Sequence, residues 1–250
     1  MKFNKILFLV GLMFFATCLS GHAAINLPSI NIGMNNATSP QEFSQGVQIL
    51  IMLTVLTLAP SIIIMTTAFV RIVIVLALTR QAIGVASLPP NQVLVGLALF
   101  LTFFVMSPTI AKINETAYQP YMKNVISQEA ALNNAMIPLR DFMFKQTKES
   151  ELALFVKMAK IQKPKTKQDV PTYVLIPSFI LSELKTAFKI GFIIFLPFMV
   201  IDLVVASVLV SMGMMFLPPT TIAMPFKLIM FVMVDGWYLI VQSLVEGFGG

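Results

Sequence analysis

Long apolar runs separated by polar segments dominate the chain after its first 46 residues. The runs span residues 47–78, 93–106, 191–210 and 223–244. As a single helix the first run would be about 48 Å long, which exceeds the roughly 30 Å hydrocarbon core of a bilayer. It must therefore tilt, break near Pro60 or project beyond the bilayer, whereas the second run is predicted to end at residues 107–108. The pattern predicts an all-α, membrane-associated subunit with proline-broken hydrophobic helices.

A more polar segment, residues 112–172, lies between the second and third runs. It carries 10 of the 15 basic residues that follow residue 5, and 6 of the 11 acidic ones. An apolar stripe at helical spacing is formed by Leu152, Phe155, Val156 and Ala159. Ser127 and Ser150 suit helix N-caps, and Pro138 suits a first helical turn. The segment is predicted to be a soluble helical insert in which residues 163–167 form a solvated linker.

Residues 1–23 have the organisation of a secretory signal peptide. Lys2 and Lys5 precede 14 apolar residues, and small residues follow at the predicted cleavage point. An uncleaved membrane helix is the alternative, but a spanning helix needs about 20 residues. A lipoprotein anchor at Cys18 is a weaker alternative, because the residues before Cys18 suit it poorly.

Cleavage would remove Cys18 and His22, the one cysteine and the one histidine of the chain. We then expect no cysteine or histidine nucleophile, no thiolate or imidazole metal site and no disulfide. The formal charge falls from +6 to +4 with the loss of two lysines. This modest excess predicts no nucleic-acid partner.

The signal peptide also fixes an expected topology, because it places the new N-terminus outside the cytoplasm. An external tail (24–46) and a first hydrophobic hairpin (47–111) then precede the insert, and a second hairpin (173–250) follows it. The insert's excess of four positive charges opposes an external location, but the positive-inside rule loses force for loops of about 60 residues. We expect the insert to face the periplasm.

Several ionisable residues interrupt the apolar runs, where each costs roughly 2.5–3.5 kcal/mol to insert. They are Arg71, Glu183, Lys185, Lys189, Asp202, Lys227 and Asp235. Asp202 and Asp235 fall near the middle of their runs, and Arg71 and Lys227 are the available counter-charges. Two interpretations stay open: structural pairing that fixes helix packing within or between subunits, and direct contact with a transported species.

Two other classes of function also place ionisable residues inside membrane segments. An intramembrane aspartyl protease shares one proton between two carboxylates, but Asp235 lacks the preceding Gly-x-Gly context of such enzymes. A small-solute transporter often contains internal repeats, and residues 47–106 and 191–244 show no convincing repeat.

A methionine-rich loop connects the last two runs. Met212, Met214 and Met215 surround Gly213 shortly before two prolines. Methionine is flexible and polarisable, and apolar constrictions gate some pores. Ordinary packing is the simpler interpretation for one loop, whereas a symmetric ring of such loops favours a gate.

Long motifs in register resemble the FliP family of flagellar type III export-gate proteins. The motifs lie at residues 69–76 (FVRIVIVL), 80–84 (RQAIG), 89–102 (PPNQVLVGLALFLT), 177–192 (PSFILSELKTAFKIGF), 197–204 (PFMVIDLV), 225–228 (PFKL) and 234–237 (VDGW). The resemblance covers essentially the whole mature chain, and the insert matches least.

The resemblance implies a non-enzymatic subunit without a cofactor, located in the bacterial inner membrane at the flagellar basal body. It implies a helical ring-like pore of several copies, five in the family's assembled gate, built with FliQ and FliR proteins. FlhB and FlhA of the export apparatus are further implied partners, and unfolded flagellar proteins are the implied substrates.

The resemblance also assigns residue roles. It places a methionine gasket at Met214 and Met215, with Met212 as an additional candidate. It matches Glu183, Lys185, Lys189, Asp202 and Lys227 to charged positions of the family's strongest motifs. Phe142 and Phe155 match aromatic residues of the insert that are linked to gate assembly and opening.

Overall fold

The computed structural model describes residues 40–85, 88–162, 164–214 and 216–249, with side chains from residue 47 onward. The predicted signal peptide, the Cys18 alternative and most of the predicted external tail lie outside these residues. The chain divides into two compact units, residues 1–53 and 54–250. Every secondary-structure element of the described residues is a helix, so the all-α prediction is confirmed for them.

The first apolar run forms two helices, α1 (Pro40–Met65) and α2 (Phe69–Ile83). Pro60 lies inside α1, and the break falls at residues 66–68. Thr66 and Thr67 lie at this break, where their hydroxyls donate to the carbonyls of Ile62 and Ile64, each at 2.9 Å. Division of the run leaves α1 about 39 Å long, at 1.5 Å per residue.

The second run continues well past its predicted end. Helix α3 (Asn91–Ile113) contains Pro108 and passes through a π-helical turn (Asn114–Tyr118) into the short α4 (Gln119–Met122). The prediction that the run ends at residues 107–108 is therefore wrong. Pro108 removes only one backbone donor, and the hydrogen bonds on either side of it maintain the helix.

The insert continues after α4 with two longer helices, α5 (Gln128–Gln146) and α6 (Glu149–Met158). The Ser127 N-cap is confirmed, because its Oγ accepts from Ala130 N at 3.3 Å. The Ser150 cap is wrong, since α6 begins one residue earlier and Ser150 donates to Glu151. Pro138 lies inside α5 rather than in a first turn, because the helix starts ten residues earlier. The predicted apolar stripe of α6 packs against the core.

Helix α7 (Thr172–Ser211) has 40 residues and is therefore about 60 Å long. Its N-terminal half packs on α2, α5 and α6. Gly191 lets α2 and α7 approach closely, because a Cβ there would lie 2.3 Å from Leu78 Cδ1 of α2. Beyond Gly191 most large apolar side chains of α7 are exposed. The helix thus joins a packed region to an uncovered one.

The last run is a bent pair, α8 (Pro219–Met233) and α9 (Gly236–Gly249), whose axes differ by 62°. Asp235 lies at the bend with a φ of +53°. Three helical stretches are long and apolar enough to cross a membrane, Val47–Met65, Asn91–Met122 and Thr172–Ser211, and the bent pair is a possible fourth. These features are those of a membrane protein.

Candidate functional site

A buried ion pair joins α2 to the packed half of α7. Arg71 Nε donates to Glu183 Oε2 at 2.9 Å, and Nη2 donates to Oε1. The two side chains are 4% and 0% exposed. Two parallel hydrogen bonds of this kind fix orientation as well as distance. Arg71 therefore pairs with Glu183, not with either of the two mid-run aspartates.

The remaining donors of Arg71 reach two further elements. Nη1 donates to Gly247 O at 3.1 Å, and Nη2 donates to Gln146 Oε1 at 2.8 Å. The guanidinium carbon lies 3.8 Å from the ring centroid of Phe248, a distance suited to cation–π attraction. Arg71 thus connects α2, α5, α7 and α9, and we call these contacts the Arg71 hub.

An aromatic cluster adjoins the Arg71 hub. Phe142 meets Phe179 edge-on at 5.9 Å and stacks on Phe248 at 6.3 Å between centroids. Phe155 is half-buried and packs on the same core. No local sequence pattern indicated Gln146, Gly247 or Phe248, because each meets Arg71 from a distant part of the chain.

A second ion pair lies in the exposed half of α7. Lys227 Nζ of α8 donates to Asp202 Oδ2, and the side chains are 7% and 30% exposed, respectively. Asp202 Oδ1 is buried and accepts no hydrogen bond from the described residues. Both groups line a cavity of about 330 Å³ that Gln81, Thr220 and Thr221 also line.

Asp235 stands apart from this pair. Its side chain is exposed at the α8–α9 bend and forms no ion pair with the part of the chain that is described. Asp202 has a lysine as its partner rather than a second carboxylate. This arrangement does not favour the proton-sharing dyad of an aspartyl protease.

A third ion pair joins α6 to α7. Lys185 Nζ donates to Glu151 Oε1, and Ser150 Oγ donates to Glu151 Oε2 at 2.6 Å. The hydrogen bonds from Lys185 and Ser150 lower the pKa of Glu151 to about 2. Lys189 is exposed and has no ion pair within the described ranges.

The lowered pKa of Glu151 predicts an acid-sensitive contact between α6 and α7. The contact is fully present above the ordinary pKa of 4.5 and is lost as the pH falls towards about 2. The protection factors of the α6 amides, which correct for the pH dependence of intrinsic exchange, should therefore fall severalfold over this interval. Glu151→Gln should exchange rapidly already at neutral pH, whereas Glu149→Gln, an exposed change on the same helix, should retain the wild-type pH profile. Equal profiles for both variants would contradict this role.

The methionine loop begins where α7 ends. Met212 is 64% exposed, Gly213 has a φ of +76°, and Met214 is half-buried with its N–H donating to Leu209 O at 3.0 Å. Met215 lies outside the described residues. Phe216 is 100% exposed. The described part of this loop therefore presents apolar groups outward at the end of a long helix.

Comparison with known proteins identifies the chain's family. The FliP family model matches residues 52–244. Flagellar biosynthetic protein FliP of Bacillus subtilis (strain 168) is 52% identical over 217 residues, which is 87% of this chain and 98% of that protein. The same-named proteins of Pectobacterium carotovorum subsp. carotovorum and Aquifex aeolicus (strain VF5) are 52% and 50% identical over 83% and 81% of the chain, and over 81% and 86% of their own lengths. The predicted resemblance is confirmed: this chain belongs to the FliP family of flagellar biosynthetic proteins.

Proposed function

We propose that this chain is a core subunit of the flagellar type III export gate. Several copies, five by family resemblance, form a gated channel with FliQ- and FliR-like subunits, and unfolded flagellar proteins pass through it. FlhB- and FlhA-like proteins are proposed partners within the apparatus. The subunit is proposed to act without enzymatic chemistry or a cofactor, in the inner membrane at the basal body, with its insert facing the periplasm.

The position of the Asp202–Lys227 pair carries this proposal. The pair and the cavity that it lines lie among exposed apolar side chains of α7 and α8. The Asp202 side chain is 30% exposed, and Thr220 and Thr221 also line the cavity. The hydrocarbon core of a membrane cannot satisfy such polar groups, whereas a neighbouring subunit that covers this surface would shield them from lipid. The geometry therefore favours assembly over a single subunit surrounded by lipid.

Asp202→Asn tests the assembly role of the pair. Lys227 would remain buried without a counter-charge, and breaking a buried pair costs about 3–5 kcal/mol. We expect the oligomeric fraction in native gels to fall severalfold. Glu246→Gln is the matched control, because Glu246 is exposed and its hydrogen bond among the described residues is with Gln242 of its own helix. Wild-type assembly of Asp202→Asn would remove Asp202 from the proposed site.

The methionine loop is proposed to close the channel. In an assembled ring, the exposed loops of successive copies would meet as a flexible apolar constriction, a known form of gate.

Further charged and aromatic residues are also proposed to have roles in the gate. The charged residues proposed to act in assembly or charge pairing are Arg71, Glu183, Lys185, Lys189 and Asp235. Phe142 and Phe155 are proposed as aromatic residues that affect gate opening.

Replacement of Met212, Met214 and Met215 by alanine tests the gasket. Alanine shortens each side chain while preserving the loop's apolar character, so assembly should remain and the closed gate should leak. Dye efflux from proteoliposomes containing the assembled gate should increase severalfold. Met233→Ala, which alters an 81% exposed methionine of α8, should not change efflux. An unchanged leak in the assembled triple variant would contradict the gasket role.

A further inference from the structure

A groove of about 780 Å³ runs along α6 on the insert. Leu152 and Val156 of α6, Phe144 of α5 and Val170 of the following loop provide its apolar lining. The groove lies apart from the methionine loop and from the Asp202–Lys227 cavity, which have different lining residues. None of the roles proposed above uses it.

Hydrogen bonds hold the outer wall of the groove in place. Arg140 of α5 donates to Val170 O at 2.6 Å, to Lys167 O at 3.2 Å and to Thr172 Oγ1. Thr166 N donates to Asp169 Oδ2 at 2.8 Å. The wall is therefore preformed in the unbound protein, and this lowers the entropic cost of binding a partner.

The rim of the groove is unequally charged. Lys157, Lys165 and Lys167 are exposed on the rim, and Glu149 is its one acidic lining residue. Glu149 and Lys157 are eight residues apart on α6, which separates them by about 12 Å along the axis. The groove thus has a basic end beyond the C-terminal part of α6 and an apolar floor of about two helical turns.

We propose that this groove binds a short amphipathic segment of an acidic partner protein. The apolar side chains of the segment would occupy the floor, and its carboxylates would face the three lysines. A second copy of this chain fits less well, because residues 112–172 carry ten basic and six acidic residues and would meet the rim with like charge. This docking goes beyond the channel function and uses different residues.

Two designed peptides provide a defined probe. Both are fluorescein-labelled amphipathic helices with the same apolar face, one with glutamates and one with lysines on the polar face. Fluorescence anisotropy with the full-length protein in detergent micelles should show at least tenfold tighter binding of the acidic peptide, and the preference should weaken as salt screens the charges. Empty micelles measure adsorption of each peptide to detergent.

Variants locate the binding and decide the outcome. Simultaneous Lys157→Glu, Lys165→Glu and Lys167→Glu changes should reverse the peptide preference. Ala153→Arg fills the groove from an exposed position and should reduce binding of the acidic peptide at least tenfold, whereas Leu154→Arg, on the same helix outside the lining, should not.

Three results would overturn the docking proposal. The first is equal binding of both peptides to the wild-type protein, and the second is equal binding of the acidic peptide to the two arginine variants. The third is loss of homo-oligomers in Ala153→Arg when the wild-type protein binds neither peptide. This third result would make the groove an interface between copies. Ala153→Arg should leave dye efflux unchanged, so failure of the docking proposal is distinguishable from failure of the channel proposal.

Discussion

Glu183→Ala should destabilise the isolated subunit by about 3–5 kcal/mol, because removal of one member of a buried ion pair leaves the other charge uncompensated. Arg71 would remain 4% exposed, with only Gln146 and the Gly247 carbonyl as acceptors among its described contacts. Reversible denaturation in mixed micelles, followed by circular dichroism, measures this loss.

Two variants make the Glu183 measurement specific. Glu246→Ala removes an exposed glutamate that bonds only Gln242 on its own helix, and it should cost under about 0.5 kcal/mol. The double variant Arg71→Met with Glu183→Leu should recover part of the loss, because no buried charge remains unpaired. Equal stability of Glu183→Ala and Glu246→Ala would contradict the Arg71 hub.

Phe248→Ala should have the second largest effect, about 3 kcal/mol, because a large buried aromatic side chain is lost near the end of the chain. Phe248 is 9% exposed, stacks on Phe142 and covers the Arg71 guanidinium. Its loss should also accelerate hydrogen exchange at the C-terminal end of α5, since the ring that stacks on Phe142 is removed and the Phe248 carbonyl, which accepts from Gln146 Nε2 at 3.3 Å, is no longer held by that ring.

Phe216→Ala is the matched control for Phe248→Ala. Phe216 is fully exposed, so its truncation should leave the free energy of unfolding unchanged within about 0.5 kcal/mol. Faster exchange confined to α9 in Phe248→Ala, with α5 unaffected, would show that Phe248 does not join the C-terminus to the insert.

The three ion pairs share one helix. Glu183 joins α7 to α2, Lys185 joins it to α6, and Asp202 joins it to α8. Each pair therefore fixes α7 against a different element. The first two lie in its packed half and the third in its exposed half. Glu183 thus joins two packed helices of one subunit, and the location of Asp202 in the exposed half is the basis of its proposed role between copies.

Features that depend only on residues close together in the sequence could be predicted from the sequence. Helical periodicity identified the α6 stripe, the Ser127 cap followed from capping chemistry, and the cost of buried charge indicated Lys227 as a possible partner for Asp202. Proline was a poor guide, because Pro60 and Pro108 each remove a single donor within a helix. The actual break lies at residues 66–68 and has no distinctive local signal, because Thr79 and Thr102 form hydroxyl-to-carbonyl hydrogen bonds like that of Thr66 inside unbroken helices.

The Arg71 hub could not be predicted from local pattern. Arg71 meets Glu183, Gln146 and Gly247 across sequence separations of 112, 75 and 176 residues. Such contacts depend on the tertiary arrangement of four helices. Neither Gln146 nor Gly247 stands in a distinctive local motif, and the motif that contains Glu183 does not indicate its partner. The choice between Glu183 and the two aspartates as partner of Arg71 likewise required the structure.

Native mass spectrometry of the detergent-purified protein, expressed alone and with its FliQ- and FliR-like partners, tests the proposed gate most directly. We expect a discrete ring-sized oligomer of this chain that gains mass in defined steps when the partners are present. A monomer or dimer in both preparations would contradict the assembled channel.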